Sequence, residues 1–265
     1  MRTVLAVAGI DLLICLVAMG LTAWVSWRVG RVSVVDVAWG LAFVAVALGL
    51  AIFSGEWLSW LLAALVTIWG GRLALHIQRR SRGHGEDPRY AAMLGDAGFG
   101  TVIRKVFLVQ GLAVFLISLP LMTAAAYAVR WPWLVAVGAA VWLVGVVFEA
   151  VGDAQLAAYR KLPKDRKPRV METGLWRFTR HPNYFGDACV WWGIWLAGAV
   201  STGWLSGLLT IIAPVAMTYF LAFATGARLL ERTMMQRPGY PEYAARTSMF
   251  VPLPPRGEST GSPRR

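Results

Sequence analysis

The chain has 265 residues, of which 57% are apolar and only 15% charged, with 14 tryptophans, two cysteines and a formal net charge of +12. That balance excludes an ordinary soluble domain and fits a polytopic membrane protein with aromatic residues at its interfaces. Cys15 and Cys189 both lie in apolar runs, so no disulfide framework is indicated, and the excess of basic residues fits cytoplasmic loops better than nucleic-acid binding.

The first apolar run, residues 4–27, is too long for a signal-peptide core and reads as a true span, with Asp11 turned toward other helices. Arg28, Gly30 and Arg31 make a short loop. Residues 34–53 form the second run, with Asp36 near its start, and residues 58–77 the third, which contains Arg72 and ends in Arg79, Arg80 and Arg82. A polar loop follows and holds Glu86-Asp-Pro-Arg-Tyr90. The fourth run, 102–129, is interrupted by Pro120. The fifth, 134–157, carries Glu149 and Asp153 at its far end and leads into the most basic segment, 159–180. Residues 182–200 and 205–230 are the sixth and seventh runs. Each has roughly the 20 apolar residues a bilayer span needs.

The expected fold is therefore an all-α integral membrane protein of about seven transmembrane helices. One domain covers residues 1–255, with a cofactor-binding part at about 149–255 and a disordered tail at 256–265. Lys and Arg gather after the first, third, fifth and seventh runs. By the positive-inside rule this puts the N-terminus outside and the C-terminus in the cytoplasm, in the cell membrane.

Charge inside a bilayer costs at least about 2.5–3.5 kcal/mol, so ionisable residues within spans face a cavity or a partner. Asp36, Arg72, Glu149, Asp153, Asp187 and Glu231 all fall toward the expected cytoplasmic ends, which suggests one polar cavity there; separate helix-end ion pairs are the plainer alternative.

The most informative stretch is Gly174-Leu-Trp-Arg-Phe-Thr-Arg-His-Pro-Asn-Tyr-Phe-Gly-Asp-Ala-Cys-Val-Trp191. Pro182 suits a first helical turn, so a helix is expected to begin near His181. Arg177 and Arg180 stand just before that start, where free N–H groups and partial positive charge favour an anion. Asn183, Asp187 and Trp191 follow at intervals of four, on one helix face. His76, His84 and His181 show no ligand spacing, so no metal site is expected. Neither a nucleophile elbow nor a phosphate-binding glycine loop is present. The basic residues of 159–180 suit anionic lipid as well as a ligand.

The 174–187 stretch, with Trp191-Trp-Gly-Ile-Trp-Leu196 after it, resembles the C-terminal domain of the steroid 5-alpha-reductase superfamily, closest to its bacterial, mostly uncharacterised branch. Asp36-Val-Ala-Trp-Gly40, Glu86 to Tyr90, and the tail from Leu229 to Pro255 resemble that branch too. The resemblance implies a reductase that takes NADPH from the cytoplasm and saturates a carbon–carbon double bond conjugated to a carbonyl, in a hydrophobic lipid or steroid-like substrate. It implies cofactor contacts at Asn183, Asp187, Trp191, Asp153, Arg160 and Arg169. Asp187 stands where the family usually has Glu, and Pro168 where it has a tyrosine. Arg177, Arg180, His181, Tyr184, Glu231 and Tyr240 complete the expected cofactor set, and Asp36, Arg72 and Tyr90 are the catalytic candidates. Arg177-x-x-Arg180-His-Pro-x-Tyr184-x-Gly186 and Tyr240-x-x-Tyr243 also resemble membrane methyltransferases that use S-adenosylmethionine, which is the alternative. A non-catalytic lipid-binding protein is the third reading. The other expected partners are membrane lipids, not nucleic acid.

Overall fold

The computed structural model describes residues 2–224 and 226–256. It is all-helical: 77% of the chain is helix, and no strand occurs among the described residues. Of the expected disordered tail, only Arg256 falls within them; its N–H donates to the carbonyl of Arg246 at 2.9 Å.

Among the described residues six helices are long and apolar enough to cross a membrane: Thr3–Val29, Val34–Ser54, Trp57–Ser81, Phe99–Ile117, Pro132–Arg160 and Trp204–Met234. These make the chain a multi-pass helical membrane protein. The first three are α1 (Arg2–Val29), α2 (Val34–Ser54) and α3 (Trp57–Ser81), and a short α4 (Pro88–Leu94) lies in the loop after them. The fourth expected run is divided. It comprises α5 (Phe99–Val102), a π turn, α6 (Leu108–Ile117) and α7 (Leu119–Ala126). Pro120 has no N–H for the carbonyl of Leu116, and the helix breaks at Ser118. Next comes α8 (Pro132–Arg160).

The sixth expected span is α9 (Pro182–Gly198), whose 17 residues reach about 25 Å at about 1.5 Å each, short of a hydrocarbon core of roughly 30 Å. The seventh run is segmented into α10 (Trp204–Thr210), α11 (Ile212–Tyr219), a π turn and α12 (Ala227–Met234). Pro214 cannot donate to the carbonyl of Thr210, and the break falls at Ile211. A last helix, α13 (Tyr240–Arg246), precedes the tail.

The chain forms two compact units. The first comprises Met1–Ala139 and Ile194–Ala213; the second comprises Ala140–Gly193 and Pro214–Arg265. In the first, α2 and α3 cross at Gly40 and Gly70, where a Cβ on either glycine would stand 2.6 Å from the carbonyl oxygen of the other. Lipid tails are as apolar as leucine, so such close backbone approach is what drives helices together in a bilayer. Phe43 and Trp69, both fully buried, meet edge to face beside this crossing. Asp11, also fully buried, accepts hydrogen bonds from Ser118 at 2.5 Å and Cys15 at 3.3 Å, so this polar group is satisfied within the span bundle, as its position requires.

In the second unit α8 and α9 cross at Gly145 and Gly186. A Cβ on Gly186 would meet the Gly145 carbonyl oxygen at 2.5 Å and the Glu149 nitrogen at 2.6 Å. The tail returns over the segment before α9: the N–H of Arg180 donates to Ser248 at 2.9 Å and that of Leu253 to Phe178 at 3.0 Å.

Candidate functional site

The glycine crossing of α8 and α9 determines what surrounds the start of α9. With no side chain at Gly145 or Gly186, the acidic face of α8 lies directly against the first turns of α9. Pro182 packs on Gly152. Asn183 then donates through Nδ2 to Asp153 Oδ1 at 3.1 Å. Its other amide atom, Oδ1, is buried and has no hydrogen-bond partner. Glu149, Asp153 and Asp187 are all buried, and Trp191 is fully buried below them. The structure thus brings together two of the expected cofactor residues, Asp153 and Asn183, and buries two more, Asp187 and Trp191, further along the same face of α9. It adds Glu149, which lies one turn from Asp153 on the same face of α8.

A second cluster forms beside it in the same unit. Arg180 grips Glu231 with both arms, Nε to Oε1 at 2.6 Å and a terminal nitrogen to Oε2 at 2.8 Å. Its other terminal nitrogen donates to the carbonyls of Ala244 and Thr247, at 2.8 and 2.6 Å. His181 Nε2 lies 3.1 Å from Glu231 Oε1, Tyr240 donates to the same oxygen at 3.4 Å, and the His181 ring stacks on Tyr184. Burial and then the charge of Glu231 push the Tyr240 phenol up. Burial alone would lower the Arg180 guanidinium, and Glu231 outweighs it and raises it.

Sequence spacing had aimed Arg180 at an incoming anion. In the structure Arg180 is instead the pin that holds the tail and α12 to the start of α9, because Glu231 and two helix-end carbonyls reach it first. Arg177, on the turn before it, is exposed, as are Arg160 at the end of α8 and Arg169 in the basic loop. The Tyr159 hydroxyl donates to the Pro168 carbonyl at 2.7 Å, which places a phenol beside Arg169.

The catalytic candidates belong to the first unit. Asp36 accepts from Tyr90 at 2.7 Å and from Arg89 at 2.8 Å. Arg89 therefore holds Asp36, and Asp36 is an acceptor on both oxygens. Arg72 lies within α3. Burial and then Asp36 push the Tyr90 phenol up. Glu86 takes the N–H groups of Val32, Ser33 and Asp87, and these outweigh its burial and hold its carboxyl below the usual range. Arg89 was legible as the basic residue of the Glu86-to-Tyr90 motif, on the helix that Asp87 and Pro88 start.

Residues 23–247 match a family described as "Protein of unknown function (DUF1295)". The chain belongs to the DUF1295 family. Among curated proteins and among solved structures, none matches it. The matched range of this DUF1295 protein contains both polar clusters of the second unit and the Asp36–Arg89–Tyr90 group of the first. Among the described residues no group of His, Cys, Asp or Glu could hold a metal ion.

Proposed function

We propose that this DUF1295 protein is an NADPH-dependent reductase of the steroid 5-alpha-reductase type, acting on a carbon–carbon double bond conjugated to a carbonyl in a hydrophobic, lipid or steroid-like substrate. The observation that carries the reading is Asn183. Its amide is oriented by Asp153 and its Oδ1 is buried without a partner, in a cluster rich in acceptors. A buried acceptor without a donor is destabilising by about 1–3 kcal/mol, so the cluster fits a ligand that brings N–H and O–H groups, as a nicotinamide carboxamide and ribose do. The resemblance assigns the same residues to the cofactor.

NADPH supplies a hydride when bound. Asn183, Asp153 and Asp187 would hold the nicotinamide end. The exposed arginines Arg160, Arg169 and Arg177 would take phosphates, a role the engaged Arg180 leaves to them. The acidic residues of the cluster would accept from the N–H and O–H groups of that end. His181, Tyr184, Glu231 and Tyr240 act in this reading by fixing the start of α9. Tyr90 is assigned to the substrate carbonyl, to which its O–H would turn from Asp36, the acceptor that positions it, with Arg72 a residue of the same substrate half. The reading also takes Pro182–Gly198 as a seventh, short span, with the N-terminus outside and the C-terminus cytoplasmic in the cell membrane.

Purified protein is expected to melt higher with NADPH and unchanged with S-adenosylmethionine, because a ligand of the native state stabilises it by mass action. Substituting Asn183→Leu is expected to abolish that shift while the apo protein stays folded. Stabilisation by S-adenosylmethionine alone would replace the reductase with the methyltransferase reading.

A further inference from the structure

The first unit contains a cavity that the proposed reaction does not use. It measures about 570 Å³ and lies among the ends of α1 and α3 and the beginning of α2. That volume falls within the roughly 300–1,000 Å³ of sites for small ligands. Its depth can be read from the sequence positions of its walls. On α1 it runs from Val29 at the helix end back to Leu21, about 12 Å at about 1.5 Å per residue. Leu21, Val25, Val37 and Leu41 make this deeper part apolar. At the helix ends the walls change character, and Arg31 and Arg82 line the mouth.

Arg31 is the most telling of these residues. Its Nε is buried and has no hydrogen-bond partner, while a terminal nitrogen makes only a long contact of 3.4 Å with Ser33 Oγ. A buried donor left without an acceptor is destabilising, and an anion at the mouth would satisfy it. Glu86, a carboxylate that touches this loop, is already engaged by the N–H groups of Val32, Ser33 and Asp87. Arg79 and Arg80, in the last turn of α3, add to the field. The site is thus amphipathic along its axis, with an apolar shaft that is open on one side along the exposed Leu21, Val25 and Leu41 and a doubly cationic mouth at the helix ends.

We propose that this cavity seats one anionic glycerophospholipid, with an acyl chain in the shaft and the phosphate between Arg31 and Arg82. A chain ~12 Å deep matches the order of length of an acyl tail segment, and the mouth lies where helices leave the bilayer, at the level of headgroups. A zwitterionic lipid of the same chains would bring an ammonium group into a field of arginines, so charge as well as shape selects the occupant. The site involves neither Asn183 nor the α8–α9 cluster, and it stands or falls independently of the reductase reading.

The test uses the full-length protein in detergent, titrated with phosphatidylglycerol or with phosphatidylcholine of identical chains, and read by native mass spectrometry and melting temperature. Wild type is expected to prefer phosphatidylglycerol at least tenfold. Arg31→Gln with Arg82→Gln is expected to bring the two lipids to parity, and Arg31→Lys with Arg82→Lys to keep most of the preference. Ala38→Phe, which fills the shaft, is expected to weaken both lipids while leaving helical content unchanged. Equal binding of the two lipids by wild type would overturn the proposal. So would an equal loss from Arg79→Gln, which would mean diffuse basic attraction, or full competition by inorganic phosphate, which would mean that the tail plays no part.

Discussion

Asn183 and Glu231 show how similar polar side chains in one unit carry opposite duties. Glu231 has its oxygens occupied by Arg180, His181 and Tyr240, and the Arg180–Glu231 pair is about nine-tenths buried, with side-chain exposures of 11% and 12%. Removing one partner of such a pair leaves an uncompensated charge, which costs about 3–5 kcal/mol. Glu231→Gln is therefore expected to lower the apo melting temperature sharply, with a smaller loss of cofactor affinity in the protein that remains folded. Asn183→Leu is expected to behave the other way, with little loss of melting temperature and a loss of NADPH binding. Melting curves beside cofactor titrations for the two variants separate these outcomes. An Asn183 variant that melts early and still binds would make the amide a structural residue.

At the scale of the element, the site depends on how closely α8 and α9 approach. Gly145 and Gly186 let the two backbones touch. Gly186→Leu forces a side chain into the Gly145 carbonyl and the Glu149 nitrogen, both backbone atoms that cannot swing aside. Overpacking of this kind costs about 1–3 kcal/mol, and here it also separates Asp153 from Asn183. The expected result is a lower melting temperature together with weakened cofactor binding. Gly9, on α1, has nothing within 4 Å of an added Cβ, so Gly9→Ala is expected to leave both unchanged. Equal effects of the two substitutions would mean that the crossing does not position the site.

For the whole molecule the orientation in the membrane is the first quantity to measure. Reporter fusions after Arg31, after Lys167 and at the C-terminus are expected to read cytoplasm, and fusions after Glu56 and Arg130 to read outside. The pair Lys167 and Arg130 tests α8 by itself. The C-terminus against Lys167 tests whether α9, at 17 residues, crosses together with the helices that follow it. A C-terminus found outside would remove access of cytoplasmic NADPH to the second unit.

Composition and hydropathy by themselves determined that this is a helical membrane protein, because a bilayer offers the backbone no hydrogen-bond partners and runs of about 20 apolar residues have only the helix open to them. The start of α9 at Pro182 was legible for a similar local reason, as was the shared face of Asn183 and Asp187. Partnership was not. Arg180 stood beside a helix start and read as a ligand for an anion, until residues 51 to 67 positions away, at Glu231, Ala244 and Thr247, engaged it. Asp36 read as an ionisable residue of a span with no partner assigned, and Arg89 from the loop 53 positions on holds it. Glycine counts gave no sign of which glycines touch, since a helix contact is a property of two surfaces and a sequence displays them one at a time. Only tertiary packing selected Gly145 against Gly186, and with that contact the cluster in which Asn183 meets Asp153.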